Sequence, residues 1–373
     1  MANALYTDTV QQVYIAYYGR AADPVGLASW EDALTTANGN LASIMNSFGT
    51  SAEATTLFGS LSNTAKVNAL FQQMFGRDAD TAGSAYYVAQ LDAGTMTAAS
   101  IALNVSDGAT GDDATILTNK LAVAKSYTTS VNTAAEISAY AGDAAATTAR
   151  TLLATVDATT ATATFDVATS IAGLVTTAEA ATPKTLALTI GADALTGGTG
   201  NDTFTGVSST LSSAKTLGTS DVLDGAGGTD SLNVTVAASF TGMATAGSVS
   251  NVENINLTNS GTVARTFDAT GITGATGYTI DATTGLVNLT DLNVTPTITL
   301  SNYAKAGSFS AAFATGAAEL TGATDAMTFT ISALGTVEDA ATTAVEQKIL
   351  TATLTDIETV NVSATGDNVI ALS

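Results

Sequence analysis

Along the first half of the chain, apolar side chains recur every three or four residues. Val10, Val13, Tyr14 and Tyr17 share one helical stripe. The spacing returns at Ile116, Leu117, Leu121 and Val123, then at Leu152, Leu153 and Val156, then at Ile171, Leu174 and Val175. It predicts two to four further helices, ending before Thr182-Pro183, because a residue preceding proline avoids helical geometry. From Leu186 the period changes to two. Leu186, Leu188 and Ile190 alternate, as do Leu232, Val234 and Val236, Ile255 and Leu257, Ile298 and Leu300, and Val360 and Val362. Gly, Asn, Asp and Thr punctuate these runs, which reads as strands and turns. The expected fold class is α+β with the two kinds segregated. An α-helical domain would cover residues 1–182. A β-rich domain, built as a β-roll, β-solenoid or sandwich, would cover 183–373.

Each half repeats itself. Val10–Leu34 aligns with Val67–Leu91 at a constant offset, matching Tyr14 with Phe71, Gly19 with Gly76, Arg20 with Arg77, Asp23 with Asp80 and Trp30 with Tyr87. Gly19 and Gly76 fall where a helix should end in a left-handed cap. Asp23-Pro24 then opens a second helix, with Asp as N-cap and Pro at the first position. Each unit therefore reads as a helix–turn–helix pair. In the second half, Asn251–Leu257 aligns with Asp356–Val362. Glu253 and Glu358 take equal places there, as inward ligands or as edge residues that discourage strand pairing.

Composition narrows the chemistry. The 373 residues carry 11 Lys+Arg against 33 Asp+Glu, with no His and no Cys, for a net charge of −22. At roughly 100–200 residues per domain, two or three domains are expected. Without Cys there are no disulfides or thiolate zinc sites, and without His no imidazole ligands or Ser-His-Asp triads. Oxygen-ligand chemistry remains, which suits Ca²⁺ or Mg²⁺. The acidity argues against nucleic acid. No run approaches the roughly 18 apolar residues of a membrane-spanning helix. The first residues, MANALYTDTVQQVY, lack the basic and apolar regions of a Sec signal peptide. No motif selects a pair of carboxylates for catalysis, so no enzyme is expected.

The sharpest motif is Gly197-Gly198-Thr199-Gly200-Asn201-Asp202-Thr203-Phe204-Thr205, which satisfies the nine-residue calcium pattern GGxGxDxUx. Gly191-Ala192-Asp193-Ala194-Leu195 reproduces its second half. A second pair follows at Asp221-Val222-Leu223 and Gly225–Leu232. Glycines would allow positive φ and turn carbonyls inward, Asp would supply a carboxylate, and the apolar residue two positions on would enter the core. Candidate Ca²⁺ ligands are Asp193, Asp202, Asp221, Asp224 and Asp230, with the backbone of Gly198, Gly200, Gly225 and Gly227. Two nonapeptides make one coil, so Asp202 and Asp221 are expected to share or flank one ion, with Asp193 and Asp230 on the opposite side. Asp107–Asp113 is a further acidic loop, read either as a cation loop or as the N-cap, through Asp112 or Asp113, of a helix beginning near Ala114.

These residues carry two resemblances. The Gly/Asp repeats of 191–232 resemble the RTX repeats of proteins exported by type I secretion. The segments VYIAYYGRAADPVGLASW and ALFQQMFGRDADTAGSAYY look like the DUF4214 helical module, over about residues 10–110. The combination is similar to RTX-type bacterial S-layer proteins and large adhesins. That resemblance implies a secreted, cell-surface structural protein that self-associates into a calcium-dependent array, with the helical domain attached to lipopolysaccharide or another polysaccharide. The alternative it implies is a calcium-binding adhesin that forms no array. Asp367–Ser373 loosely resembles a type I C-terminal signal and equally a strand end. Arg20 with Asp23, and Arg77 with Asp80, could bind sugar hydroxyls or phosphates, or act as capping ion pairs that fix the interhelical turn. Trp30, Tyr17 and Tyr18 could stack on sugars or belong to the core.

Overall fold

The structure, a computed structural model, describes residues 4–282, 285–301, 307–314, 325–332, 336–338, 345–347, 349–354, 357, 359–365 and 369–372. Glu358, 366–368 and Ser373 lie outside the described residues, and with them the expectation for Glu358; of the C-terminal segment, Val369–Leu372 is described and forms a strand. The chain divides into two compact units, Met1–Glu179 and Ala180–Ser373.

Among the described residues the first unit is helical. It contains α1 (Thr7–Val13), α2 (Pro24–Thr36), α3 (Ala42–Gly49), α4 (Ala52–Phe58), α5 (Asn63–Phe75) and α6 (Thr81–Asp92). After these come α7 (Ala98–Asp107), α8 (Gly111–Ser130), α9 (Ala134–Ala139), α10 (Gly142–Ala154) and α11 (Ala168–Ala181), whose last two residues belong to the second unit. The duplicated corners share their local geometry. Gly19 and Gly76 are left-handed at φ 69° and 70°. Asp23 and Asp80 each accept the backbone N–H three residues on, at 2.6 and 2.7 Å. The matched pairs Val10/Val67, Tyr14/Phe71 and Tyr18/Phe75 are all buried. One difference is that α1 widens into a π-helical turn over Tyr14–Tyr18, which buries five consecutive side chains. At the other acidic loop, α8 starts at Gly111. Asp112 and Asp113 therefore lie in its first turn rather than capping it.

The second unit is built from strands. β1 (Thr185–Ala187), β2 (Ala194–Gly198), β3 (Thr203–Ser208), β4 (Val222–Ala226), β5 (Ser231–Val236) and β6 (Ser248–Ser250) come first. β7 (Asn254–Asn259), β8 (Arg265–Asp268), β9 (Gly277–Ala282), β10 (Val287–Leu292), β11 (Thr297–Ser301) and β12 (Gly307–Phe313) follow. β13 (Ala326–Ser332), β14 (Thr336–Glu338), β15 (Val345–Gln347), β16 (Ile349–Leu354), β17 (Thr359–Thr365) and β18 (Val369–Leu372) complete the set. An eight-stranded sheet runs β1-β3-β5-β7-β9-β11-β13-β17. The alternate strands form β2-β4-β6 and β8-β10-β12-β16-β18. Among the described strands, every pairing is parallel except the small β14–β15 hairpin. Each parallel pair is therefore connected through a strand of the other sheet, where most proteins use a helix.

In-phase register stacks like side chains on like. Phe204, Leu232, Ile255, Tyr278, Ile298 and Phe329 form one inward row. Leu195, Leu223 and Val249 form another on the opposite sheet. The first row is fully buried, at 2% exposure or less. Intervening residues face out and are polar, and Asn256 donates through its side-chain amide to Asn233 at 2.8 Å. The period of two is the direct consequence of one wet and one dry face per sheet. The coarse class is thus helices followed by parallel sheets.

Candidate metal centre

Each motif aspartate sits just before a strand. Asp193 and Asp221 precede β2 and β4, whereas Asp202 and Asp230 precede β3 and β5. A nine-residue step therefore moves from one sheet to the other. The Asp193 N–H donates to Asp221 Oδ1 at 3.0 Å and the Asp202 N–H donates to Asp230 Oδ1 at 2.6 Å, both over 28 residues. The expected placement of Asp202 and Asp221 on one side, to share or flank an ion, does not hold. Those two lie on different sheets, and the true neighbours are Asp202 with Asp230 and Asp193 with Asp221. The cause is loop length. The step from Lys184 to Asp202 is 18 residues, but the next is 28, because the chain makes a long excursion between β3 and β4.

On the eight-stranded sheet the column continues both ways. The Lys184 N–H donates to Asp202 Oδ1 at 2.6 Å, and the Asp230 N–H donates to Glu253 Oε2 at 2.7 Å. Lys184, Asp202, Asp230 and Glu253 thus stack, each acid capping the backbone of the residue before it. Glu253 is an inward partner here, not an edge guard. The motif missed Lys184 because it lies outside the nonapeptides. Its only sequence signal is the 18-residue step back from Asp202.

Most of these carboxylates are already satisfied. Asp202 Oδ2 accepts from the Gly198 N–H at 2.5 Å. Asp221 Oδ2 accepts from Gly218 at 2.8 Å. Asp193 takes the N–H and hydroxyl of Thr189, each at 2.8 Å. Asp224 Oδ1 accepts from Asn251 Nδ2 at 2.8 Å and from the Ala226 N–H at 2.9 Å, which hold its carboxyl below the usual range, the Asn251 bond contributing most. Asp230 differs. It is 1% exposed, and its Oδ2 has no hydrogen-bond partner. Burial, and then the charges of Glu253, Asp202 and Asp224, push its carboxyl up, against the pull of the Asp202 N–H.

The contrast has a local cause. Gly198 and Ala226 are register partners. Gly198 points its N–H at Asp202, but Ala226 is left-handed at φ 68° and points its N–H at Asp224 instead. The glycines also act differently from expectation. Gly198, Gly200, Gly225 and Gly227 are not left-handed, and in this motif only Gly191 and Gly228 are. Gly198, Gly200 and Gly225 are required by close approach. A Cβ at Gly198 or Gly200 would collide with the Ala180 or Ala181 carbonyl, and one at Gly225 with the Asn251 carbonyl and Asp230 Oδ2. The Gly198 carbonyl accepts from the Gly227 N–H at 2.9 Å and so belongs to the ladder. The apolar residues two positions after the aspartates do enter the core at Phe204, Leu223 and Leu232.

Does this donor set fit a cation? Among the described residues no three acidic side chains converge as a ready cage. What fits is narrower: one buried carboxylate oxygen without a donor, with the Asn251 carbonyl packed against the same glycine. Hard oxygen atoms of this kind suit Ca²⁺.

The helical corners hold charges that are fully used. Arg20 meets Glu53 with two parallel bonds, at 2.8 and 2.7 Å, and Arg150 meets the same carboxylate at 2.7 Å. Arg20 also packs on the rings of Tyr14 and Tyr140, at 5.0 and 5.6 Å. Burial opposes its charge most, but the Glu53 bonds and the electrostatics of Tyr140, Glu53 and Tyr14 together outweigh it and hold Arg20 firmly protonated. Asp23 is a secondary partner at 3.8 Å. Arg77 pairs with Asp113 at 2.5 Å rather than with Asp80. Tyr17 and Tyr18 are buried and Trp30 packs on Phe48 at 4.8 Å, so these rings form core rather than a sugar platform. Glu53 and Arg150 were invisible as partners because they lie 33 and 97 residues from what they bind.

Residues 45–109 match the family described as a domain of unknown function, DUF4214. The DUF4214 segment runs from α3 to the end of α7 and contains the second helical corner. The first corner, at residues 10–34, lies outside it, as does every candidate cation ligand. No curated protein and no solved structure matches this chain.

Proposed function

We propose that the chain is a non-enzymatic structural protein of the cell exterior. On this reading Ala180–Ser373 is a β-solenoid of the β-roll kind, and Ca²⁺ completes its Gly/Asp turns at Asp230. Copies then associate into an S-layer-like array, with the helical unit as the anchor to surface polysaccharide. The observation that carries the reading is the buried, unpartnered Oδ2 of Asp230 within a column of acids. Asp230 would hold the ion, and the Asn251 carbonyl is available beside it. Bound Ca²⁺ supplies positive charge where three neighbouring carboxylates repel Asp230. The next-but-one parallel pairing supports the solenoid reading. The terminal strands β1 and β17 each leave one side unpaired among the described strands, and open edges of this kind suit subunit contacts. A net charge of −22 keeps copies apart until cations screen it.

The test is a Ca²⁺ titration of the purified protein with EGTA reversal, read by thermal unfolding, light scattering and electron microscopy. Ordered sheets or filaments that form only with Ca²⁺ are expected. Calcium-dependent stabilisation of a persistent monomer would replace the array with the adhesin reading. Indifference to Ca²⁺ in both fold and assembly would remove the proposal.

A further inference from the structure

The helical unit holds a cavity of about 290 Å³, near the lower end of ligand-sized pockets. Met45, Ala54, Phe58 and Leu91 give it an apolar lining. Among the described residues that line it, only Lys66 is charged, and it is positive in a chain of net charge −22. Lys66 is half-buried and has neither a hydrogen bond nor an ion pair from its ammonium among the described residues. It sits at the end of the first turn of α5, where the helix dipole disfavours a cation. The fold therefore makes no use of its charge. Tyr17 is 3% exposed, lines the cavity and stacks on Phe58 at 5.0 Å, yet its hydroxyl has no hydrogen-bond partner among the described residues. Packing does not require that hydroxyl, since the duplicated corner places Met74, also buried, at the corresponding position. Thr97, Ala98 and Ala99, the N-cap and first two residues of α7, form another wall, and no acid lies in that first turn. Thr97 Oγ1 accepts from the Ser100 N–H at 3.2 Å, while the N–H groups of Ala98 and Ala99 have no partner within the helix. A helix start of this kind favours negative charge.

We infer that this cavity is a binding site for a small organic carboxylate with an apolar body, such as a short acyl chain or a single ring. The Lys66 ammonium and the start of α7 supply positive charge, and the Tyr17 hydroxyl supplies a donor. The apolar lining takes the body. A sugar acid fits less well, because its several hydroxyls need partners. The hydroxyls of Thr55 and Thr97 are already bonded, to the Ser51 carbonyl and to Ser100, and Thr50 is engaged too. Apart from Tyr17, every lining residue lies within the segment 45–109 that matches DUF4214, so the site belongs chiefly to that domain. It is independent of the calcium reading of Asp230.

The experiment is a calorimetric titration of the full chain with octanoate at neutral pH, in EGTA. Octanol carries the body without the charge, acetate the charge without the body, and glucuronate tests the sugar acid. Octanoate should bind at one equivalent, and each of the others more weakly by about tenfold or more. Lys66→Met, with circular dichroism to confirm its helices, should weaken octanoate by about tenfold, and Lys66→Arg, which keeps the charge, should bind it as the unaltered protein does. Tyr17→Phe keeps the ring on Phe58 and should weaken octanoate by about threefold or more. The inference is overturned if octanoate does not bind, or if it binds Lys66→Met as tightly as the unaltered protein. Octanol equal to octanoate overturns the demand for an anion, and glucuronate equal to octanoate overturns the apolar body. If Lys66→Met fails to fold, Tyr17→Phe decides, and unchanged octanoate binding there overturns the inference.

Discussion

The two units bury charge in opposite ways. In the helical unit, Arg20 is enclosed by Glu53, Arg150 and aromatic rings, and each charge meets its complement. In the strand unit, Asp230 is enclosed by other acids and keeps one oxygen unpaired. A closed network holds a fold together and has little left to offer a ligand. An open one costs stability until something fills it. The difference separates a structural corner from a candidate binding site more clearly than the count of acidic residues does.

Glu53→Ala should break the comparison most strongly. It strands two guanidinium groups in the helical unit, for an expected loss of about 3–5 kcal/mol in urea unfolding. A fall below about 1 kcal/mol would mean that the network is not closed.

Lys120 sharpens the contrast within the helical unit. It is 1% exposed, its Nζ donates to the Gln73 carbonyl at 2.6 Å, and burial lowers it to about 8. Because the folded value lies below the ordinary 10.5, the unfolded chain holds the extra proton between the two. Helical-unit stability should therefore rise from pH 8 upward, by roughly 2 kcal/mol before pH 10. Above that, the buried phenols oppose it, since burial pushes groups such as Tyr17 up to about 12 and the folded state then holds the protons. Lys120→Met should abolish the rise, and a persisting slope would assign it to another group.

Asp230→Asn should raise the stability of the strand unit in EGTA, by about 1 kcal/mol, since it removes a buried repelled charge and keeps an acceptor for the Asp202 N–H. A loss of stability would mean that the open oxygen is not a strain. The smallest effect belongs to the Arg77–Asp113 pair, where Arg77 is half exposed. Arg77→Ala should cost under about 1 kcal/mol, against the large cost at Glu53.

How much of this was readable beforehand follows from the range of each interaction. The helical corners were legible because Gly19, Asp23, Gly76 and Asp80 act within one turn of chain. The strand rows were legible because alternation is local. The pairing of Asp202 was not, since it depends on the loop between β3 and β4, whose length says nothing about which sheet comes next. The start of α8 was misplaced because Asp112 and Asp113 suit a first helical turn as well as a cap. Lys184 became a site residue only through register, Glu253 was offered by the repeat as a ligand or an edge residue and register placed it under Asp230, and Ala226 entered only through its left-handed backbone.

The central claim is that Asp230, and not the motif as a whole, creates the demand for a cation. Thermal unfolding of the unaltered protein and of Asp230→Asn, each in Ca²⁺ and in EGTA, tests it most directly. The account predicts that Ca²⁺ raises the unfolding temperature of the unaltered protein and that Asp230→Asn loses this response while remaining folded. An equal calcium response in both proteins would contradict it.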